Sequence, residues 1–192
     1  GLLLEKFKNN GMRVVGVEPA KNICEIARLN GIDTLSGFFD KSIVNDIIKM
    51  KGKADLVTAN NVFAHVGNIK ELTKNVKDLM KDDGTFVVEV QYFSDMIQKL
   101  TFDNIYHEHL SYFTVLSLNE FFKRQEMEIF NIEHIGTHGG SIRVYTQKIG
   151  GKFPKNDSVD DYLQREINLG LNRFESYNRF AEQVNGIRDN VR

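Results

Sequence analysis

From Met12 onwards the chain alternates between short runs rich in β-branched residues and amphipathic stretches with helical spacing. A β-α series of this kind predicts an α/β fold built on a doubly wound, mainly parallel sheet. The predicted strands lie at residues 13–18, 34–39, 54–59 and 85–90, and the predicted helices at residues 21–30, 42–51 and 69–79. Two further strand-like runs, at residues 129–135 and 141–148, flank a glycine-rich bend and predict an antiparallel hairpin that closes the sheet.

The β-α series lacks a strand at the beginning of the chain. Residues 2–8 have the pattern of a helix, yet no strand precedes them. We therefore expect the first strand and its glycine-rich turn to lie upstream, and Gly1 is either the last glycine of that turn or unrelated to it. A sheet that lacks one strand exposes backbone donors and acceptors, so self-association into a homo-oligomer is expected.

The character of the sequence changes after Gly150-Gly151. Residues 153–157 have the composition of a linker, and apolar residues then recur at spacings of four and three, as in a long amphipathic helix. We predict a core over residues 1–150, followed over residues 151–192 by a linker and the first helices of a C-terminal domain. The apolar stripe of this helical extension is expected to face a second domain or another copy of the chain.

Composition excludes several classes of partner and chemistry. With 27% charged residues and a net charge of -1, the chain lacks the basic character of nucleic-acid or membrane-surface binders. Its apolar runs are strand-sized and Glu5 follows Leu2–Leu4 at once, so neither a membrane span nor a signal peptide is predicted. Cys24 is the only cysteine, which excludes an internal disulfide, argues against a cysteine-bound zinc site and favours a reducing, cytoplasmic location. Cys24 itself lies in an apolar helical pattern and is predicted to be a small core residue.

Candidate ligand-binding residues follow the first two predicted strands, because ligands of open α/β sheets lie beyond the carboxyl ends of the strands. Glu18 is able to accept hydrogen bonds from both ribose hydroxyls of a nucleoside cofactor, or it is a solvated carboxylate before Pro19. Phe39 either borders an adenine ring or packs in the core. We predict cofactor contacts at Gly1, Glu18, Pro19 and Phe39.

The next strand ends at the pair Asn60-Asn61, and His65 follows shortly after. Amide side chains in this position are suited to the amino acid part of a cofactor or to orienting a substrate, although an asparagine pair also closes turns. His65 is either an acid-base group or a structural histidine. We predict cofactor contacts at Asn60 and Asn61 and a catalytic role for His65.

The run Tyr106-His107-Glu108-His109 places a phenol, two imidazoles and a carboxylate within four residues. Such groups are suited to general acid-base catalysis near neutral pH. Metal binding is one alternative, but two histidines at spacing two share a face only in an extended segment, and the helical His-Glu-x-x-His pattern is absent from the sequence. A structural loop is the other alternative. We predict acid-base chemistry and no bound metal.

The predicted hairpin bend contains His138-Gly139-Gly140-Ser141, with Arg143 two residues further on. Two adjacent glycines allow the backbone to approach a ligand closely, and they equally serve simply to turn the hairpin. We predict substrate contacts at His138, Gly139, Ser141 and Arg143.

Taken together, four stretches resemble the S-adenosylmethionine-dependent sugar C-methyltransferases, which methylate a ring carbon of keto-deoxysugars linked to a nucleotide. The stretches are Val-Gly-Val-Glu-Pro-Ala at 15–20, Ala-Asn-Asn-Val-Phe-Ala-His-Val at 59–66, Phe-Asp-Asn-Ile-Tyr-His-Glu-His-Leu-Ser-Tyr at 102–112 and His-Gly-Gly-Ser-Ile-Arg-Val at 138–144. The likeness extends from about residue 2 to residue 148, and the Tyr-His-Glu-His run is its most specific part.

The resemblance implies a Rossmann-like class I methyltransferase sheet, S-adenosylmethionine as cofactor and a small nucleotide-sugar substrate. It implies that His109 is the general base, with Tyr106, Glu108 and His65 as nearby acid-base or orienting groups. It further implies that Glu18 holds the cofactor ribose and that Asn60 lies near the methionine part.

The family's cysteine-rich zinc domain and most of its glycine-rich loop are not in this sequence, so weak cofactor binding and loss of turnover are expected for the chain alone. Two other readings remain open at this point. One is an NAD(P)-dependent oxidoreductase on a similar sheet, and the other is a non-catalytic module that binds nucleotide-sugars.

Overall fold

The structure, a computed structural model, describes residues 1–191. Its helices are α1 (Leu2–Asn9), α2 (Lys21–Leu29), α3 (Lys41–Lys51), α4 (Ile69–Leu79), α5 (Phe93–Lys99), α6 (Val115–Arg124), α7 (Asp157–Asn168) and α8 (Phe174–Val191). Its strands are β1 (Gly16–Glu18), β2 (Thr34–Ser36), β3 (Ala54–Asn60), β4 (Met80–Gln91), β5 (Met127–Ile135) and β6 (Ser141–Lys148). This alternation confirms the predicted α/β fold class, with helices at the C-terminal end.

The chain forms two compact units, of which the first comprises Gly1–Asp55 and Lys70–Lys81. Its strands β1 and β2 are parallel, with Glu18 opposite Ser36. Helix α2 connects them and packs on both, because its apolar face buries Cys24 and Ala27. Cys24 is fully buried, which confirms that it is a core residue.

Helix α3 begins where the sequence supplies a side-chain cap. Asp40 has an extended backbone and its carboxylate accepts a hydrogen bond from the backbone N–H of Ile43 at 2.9 Å. The helix then buries Val44 and Ile47 and ends at Gly52, whose φ of 82° favours glycine. Start and end signals in the sequence therefore determine this helix closely.

The second unit comprises Leu56–Ile69 and the chain from Asp82 onwards. The four-stranded sheet has the order β3-β4-β6-β5. Strands β4 and β6 are antiparallel, with Glu89 opposite Arg143, and β5 and β6 are antiparallel with Glu133 opposite Arg143. The hairpin predicted from the glycine-rich bend is therefore confirmed.

An aromatic cluster fills the core of the second unit. The fully buried ring of Phe63 lies 5.4 Å from the ring of Phe113, 6.2 Å from Phe86 and 6.2 Å from Phe122 between ring centroids. Rings at these separations gain favourable edge and offset contacts in addition to their buried area. Because Phe63 lies in the short turn after β3, the cluster fixes the backbone that carries the neighbouring His65.

Helix α7 packs on β5 and α6 within the second unit. The buried residues of this helix are Val159 and Glu166. The Glu166 carboxylate accepts hydrogen bonds from the backbone N–H groups of Val115 at 2.6 Å and Leu116 at 2.8 Å. Glu166 thus satisfies two unpaired donors at the start of α6. The domain boundary at residue 150 stays a prediction, although part of the stripe expected to face outwards is covered within this unit.

Across residues 1–191, no helix combines the length and the apolar character that crossing a bilayer requires.

Candidate active site

The loop between α5 and α6 is fastened next to the turn that follows β3. The backbone N–H of Leu110 donates to the carbonyl oxygen of Ala64 at 2.9 Å, and Nδ1 of His65 lies 2.9 Å from the carbonyl oxygen of Glu108. The rings of His65 and His109 are consequently 4.8 Å apart between centroids. Two predicted catalytic histidines, separated in sequence by the whole of α4, β4 and α5, are therefore neighbours in space.

His109 is held in one tautomer. Its Nδ1 lies 3.0 Å from the backbone carbonyl oxygen of Asn104, and its Nε2 lies 3.4 Å from the hydroxyl of Tyr106. A carbonyl oxygen only accepts hydrogen bonds, so in the neutral ring Nδ1 carries the proton and Nε2 carries the lone pair. Nε2 is therefore the nitrogen that is able to act as a base.

These side chains line a cavity of about 170 Å³ in the second unit. Polar residues in its wall include Asn61, His65, Gln91, Tyr106, His109, Tyr112 and His138. The loop thus brings together Tyr106, His109 and His65 as predicted neighbours. Glu108 differs from these three residues, because its contact with His65 is made by its backbone carbonyl oxygen and its side chain is exposed. The acid-base role of Glu108 stays a prediction.

The pair Asn60-Asn61 at the end of β3 is fixed by Glu89 of β4. The backbone N–H of Asn61 donates to the backbone carbonyl of Glu89 at 2.9 Å, and the Asn60 amide Nδ2 donates to the Glu89 carboxylate at 3.2 Å. Asn61 adopts a positive φ of 52°, which asparagine tolerates better than most residues. The Asn60 amide therefore uses its donor internally and retains its carbonyl oxygen as an acceptor.

Arg143 is engaged by carboxylates rather than free for a ligand. Its guanidinium donates to the buried Glu89 carboxylate from Nη2 at 2.8 Å and Nε at 3.1 Å, and lies 3.5 Å from Glu133. The hydrogen bond to Glu89 raises the pKa of Arg143 above its ordinary value. Its predicted contact with substrate remains a prediction, and the structure assigns it an ion pair.

The bend before β6 carries His138 into the cavity wall with a left-handed backbone, at φ 54°. The Gln91 amide donates to the His138 carbonyl at 3.2 Å and the Lys99 ammonium donates to the Gly139 carbonyl at 2.6 Å. Ser141 is fully buried and its hydroxyl donates to the Thr137 carbonyl at 3.1 Å, so its side chain stabilises the bend itself. Of the predicted substrate-binding residues, His138 lines the cavity.

The remaining predicted cofactor residues lie in the first unit. Glu18 ends β1, and one of its carboxylate oxygens accepts the backbone N–H of Ala20 at 2.9 Å, which leaves the other oxygen for a ribose hydroxyl. Gly1 precedes α1, Pro19 is exposed and Phe39 is half-buried. Their contacts with a cofactor stay predictions.

Four residues near the cavity were missed by the sequence reasoning. Gln91 and Glu89 lie in or at the end of β4, Asn104 supplies a backbone carbonyl to His109, and Tyr112 follows the catalytic loop. Two signals were present in the sequence: a carboxylate within the buried run 86–90, and a polar residue directly after a predicted strand. The role of a backbone carbonyl leaves no such signal.

Among residues 1–191, no group of three or more His, Cys, Asp or Glu side chains is arranged to hold a metal ion. Each unit separately offers acceptor atoms that suit a part of S-adenosylmethionine. In the first unit Glu18 offers a carboxylate oxygen, and in the second unit Asn60 offers an amide oxygen, which are acceptors suited to ribose hydroxyls and to an ammonium group respectively.

Comparison with known proteins places these features in a family context. Residues 1–131 match the family described as "Methyltransferase domain", and residues 136–192 match the "C-methyltransferase C-terminal domain". A curated relative, "C-methyltransferase NovU" of Streptomyces niveus, is 33% identical over 192 residues, which is 100% of this chain and 46% of that protein. The chain therefore spans about half the length of this relative.

Solved methyltransferase structures share the fold. The 1,6-didemethyltoxoflavin-N1-methyltransferase of Burkholderia thailandensis, with bound S-adenosylhomocysteine, aligns with a TM-score of 0.54 at 14% identity over 76% of this chain and 65% of that chain. The magnesium protoporphyrin IX methyltransferase of Synechocystis PCC 6803, also with S-adenosylhomocysteine, aligns with a TM-score of 0.55 at 9% identity over 73% and 66%. The predicted Rossmann-like methyltransferase fold is thus confirmed.

The match over residues 1–131 also decides between the two enzyme classes that the sequence pattern left open, because it is a methyltransferase match and not an oxidoreductase match. The chain belongs to the methyltransferase domain family, whose cofactor is S-adenosylmethionine.

Proposed function

We propose that the chain is the acid-base and cofactor-binding part of an enzyme that methylates a carbon atom of a keto-sugar linked to a nucleotide. The observation that carries this proposal is the hydrogen bond from His109 Nδ1 to the Asn104 carbonyl, which leaves a basic Nε2 beside a polar cavity. The sequence match of residues 136–192 to a C-methyltransferase domain and the name of the curated relative support carbon as the methylated atom. The motif resemblance supports the sugar.

The chemistry requires a base next to an activated carbon. A C–H bond beside a ketone is acidic, so His109 Nε2 takes the proton while the electron pair of that bond moves to the carbonyl oxygen and forms an enolate. Tyr106, 3.4 Å from Nε2, and His65, 4.8 Å away between ring centroids, orient the imidazole. When bound, S-adenosylmethionine would supply the electrophilic methyl group for this enolate carbon, and its sulfur would keep the electron pair of the broken bond.

Proton abstraction is testable apart from methyl transfer. In D₂O, the protein is expected to exchange the hydrogen beside the ketone of a nucleoside diphosphate-linked keto-deoxysugar, followed by NMR. His109→Asn removes the base and is expected to slow this exchange by roughly 10²- to 10⁴-fold. His107→Asn is the matched control, because His107 is an exposed imidazole of the same loop and is expected to leave the rate unchanged.

Each alternative gives its own result. An unchanged exchange rate in His109→Asn would show that His109 is not the base. Binding of S-adenosylhomocysteine without exchange or methylation would favour the non-catalytic module. Calorimetric binding of NAD but not of S-adenosylhomocysteine would contradict the cofactor assignment.

A further inference from the structure

Two buried polar atoms of the cavity wall have no hydrogen-bond partner within residues 1–191. They are Oε1 of Gln91 and the hydroxyl oxygen of Tyr112. The other such side-chain atoms in the described part of the chain are Nδ2 of Asn75 and the hydroxyl of Tyr92, whose residues do not belong to this wall. Unpaired buried polar atoms are uncommon, so two in one cavity wall call for a functional explanation.

The orientation of the Gln91 amide is fixed by its neighbour. Its Nε2 donates to the His138 carbonyl at 3.2 Å. A rotated amide would place Oε1 against that carbonyl, and two acceptors facing each other repel. Oε1 is therefore the unpaired end of the side chain, and it is an acceptor that only an O–H or N–H group is able to satisfy.

Tyr112 is held by its ring rather than by its hydroxyl. The ring packs 5.7 Å from the ring of Phe93 and 6.0 Å from that of His109 between centroids. These contacts fix the phenol close to the basic imidazole while the hydroxyl remains unpaired. An unpaired buried hydroxyl reduces the stability of the folded chain, and a ligand that pairs with it removes that cost.

We propose that Gln91 and Tyr112 are specificity residues that bind hydroxyl groups of the substrate next to the carbon that His109 deprotonates. Gln91 Oε1 accepts one substrate hydroxyl, and the Tyr112 hydroxyl pairs with another substrate oxygen. This inference rests on the proposed function, because it concerns the substrate of the same cavity. It selects a polyhydroxylated substrate over an apolar or aromatic one, since an analogue that lacks either oxygen leaves the corresponding protein atom unpaired.

The test combines stability and kinetics in two tyrosine variants. Tyr112→Phe deletes an unpaired hydroxyl, so the melting temperature of the ligand-free protein is expected to stay the same or rise, while kcat/KM for the keto-sugar falls by roughly tenfold. Tyr177→Phe is the matched control, because Tyr177 lies in α8 and its hydroxyl donates to the carbonyl oxygen of Leu171 at 2.6 Å. That variant is expected to melt at a lower temperature with unchanged kcat/KM.

The preference for a hydroxylated substrate over its deoxy analogue is a second measurement, and this preference would not change if a variant had only lost packing. The wild type is expected to prefer the hydroxylated keto-sugar over its deoxy analogue by roughly tenfold or more, and Tyr112→Phe or Gln91→Met is expected to reduce this preference. A drop in the melting temperature of Tyr112→Phe as large as that of Tyr177→Phe, or an unchanged preference in both variants, would overturn the inference. If the wild type, extended by the segment expected upstream of Gly1, turns over no keto-sugar, the proposed function fails, and the melting temperatures of the ligand-free variants still decide whether the Tyr112 hydroxyl is unpaired.

Discussion

The bend that carries His138 depends on a glycine that no other residue is able to replace. At Gly140 the backbone φ is 135°, and a Cβ atom would lie 2.0 Å from Oδ2, 2.8 Å from Cγ and 2.9 Å from Cβ of Asp95. The whole Asp95 side chain would have to move. It is held there by hydrogen bonds to Oδ2 from Lys99 Nζ and His134 Nε2, each 2.8 Å long.

The cost of Gly140→Ala follows from two terms. Placing an L-residue in this backbone region costs about 1–3 kcal/mol. Moving Asp95 breaks the ion pair with Lys99 and the hydrogen bond with His134, each worth about 1 kcal/mol because Lys99 and His134 are partly exposed and screened by solvent. We expect a loss of about 3–5 kcal/mol in the free energy of unfolding, a large part of the ~5–15 kcal/mol typical of a domain.

Urea unfolding followed by circular dichroism measures this loss. The matched control is Gly136→Ala, since Gly136 has φ -74° and a Cβ atom there meets no atom within 4 Å. The control is expected to unfold within about 0.5 kcal/mol of the wild type. Equal unfolding midpoints for the two alanine variants would refute the reasoning from Asp95.

Two further predictions concern buried carboxylates. Glu166→Ala leaves two backbone N–H groups at the start of α6 unpaired and is expected to cost about 2–4 kcal/mol of unfolding free energy, against almost none for exposed Asp161→Ala on the same helix. Burial raises the pKa of Glu166, so its ionisation opposes folding, and the measured difference between wild type and Glu166→Ala is expected to shrink as pH rises above 4.5. Burial also acts to raise the pKa of Asp95, but the hydrogen bonds from Lys99 and His134 outweigh it and lower the pKa below 3.8. The wild type is therefore expected to lose stability as pH falls through the acid range, and Asp95→Asn to lose less, in urea titrations at each pH.

Local signals in the sequence were sufficient for much of the fold. The alternation of β-rich and helical runs predicted the α/β class, and Gly139-Gly140 between two strand-like runs predicted the hairpin of β5 and β6. These features are determined by neighbours along the chain, because periodicity, caps and turns act over a few residues. For the same reason the sequence alone identifies the loop with Tyr106 and His109 as a candidate site.

The tertiary structure alone decided how those groups are used. The proximity of His65 to His109, the carbonyl of Asn104 that selects the tautomer, and the pairing of Arg143 with Glu89 all join residues distant in sequence or involve backbone atoms common to every residue. Residue type gives the chemistry that a side chain is capable of. Only packing determines which partners it meets, and therefore which lone pair, charge or hydroxyl remains available for a ligand.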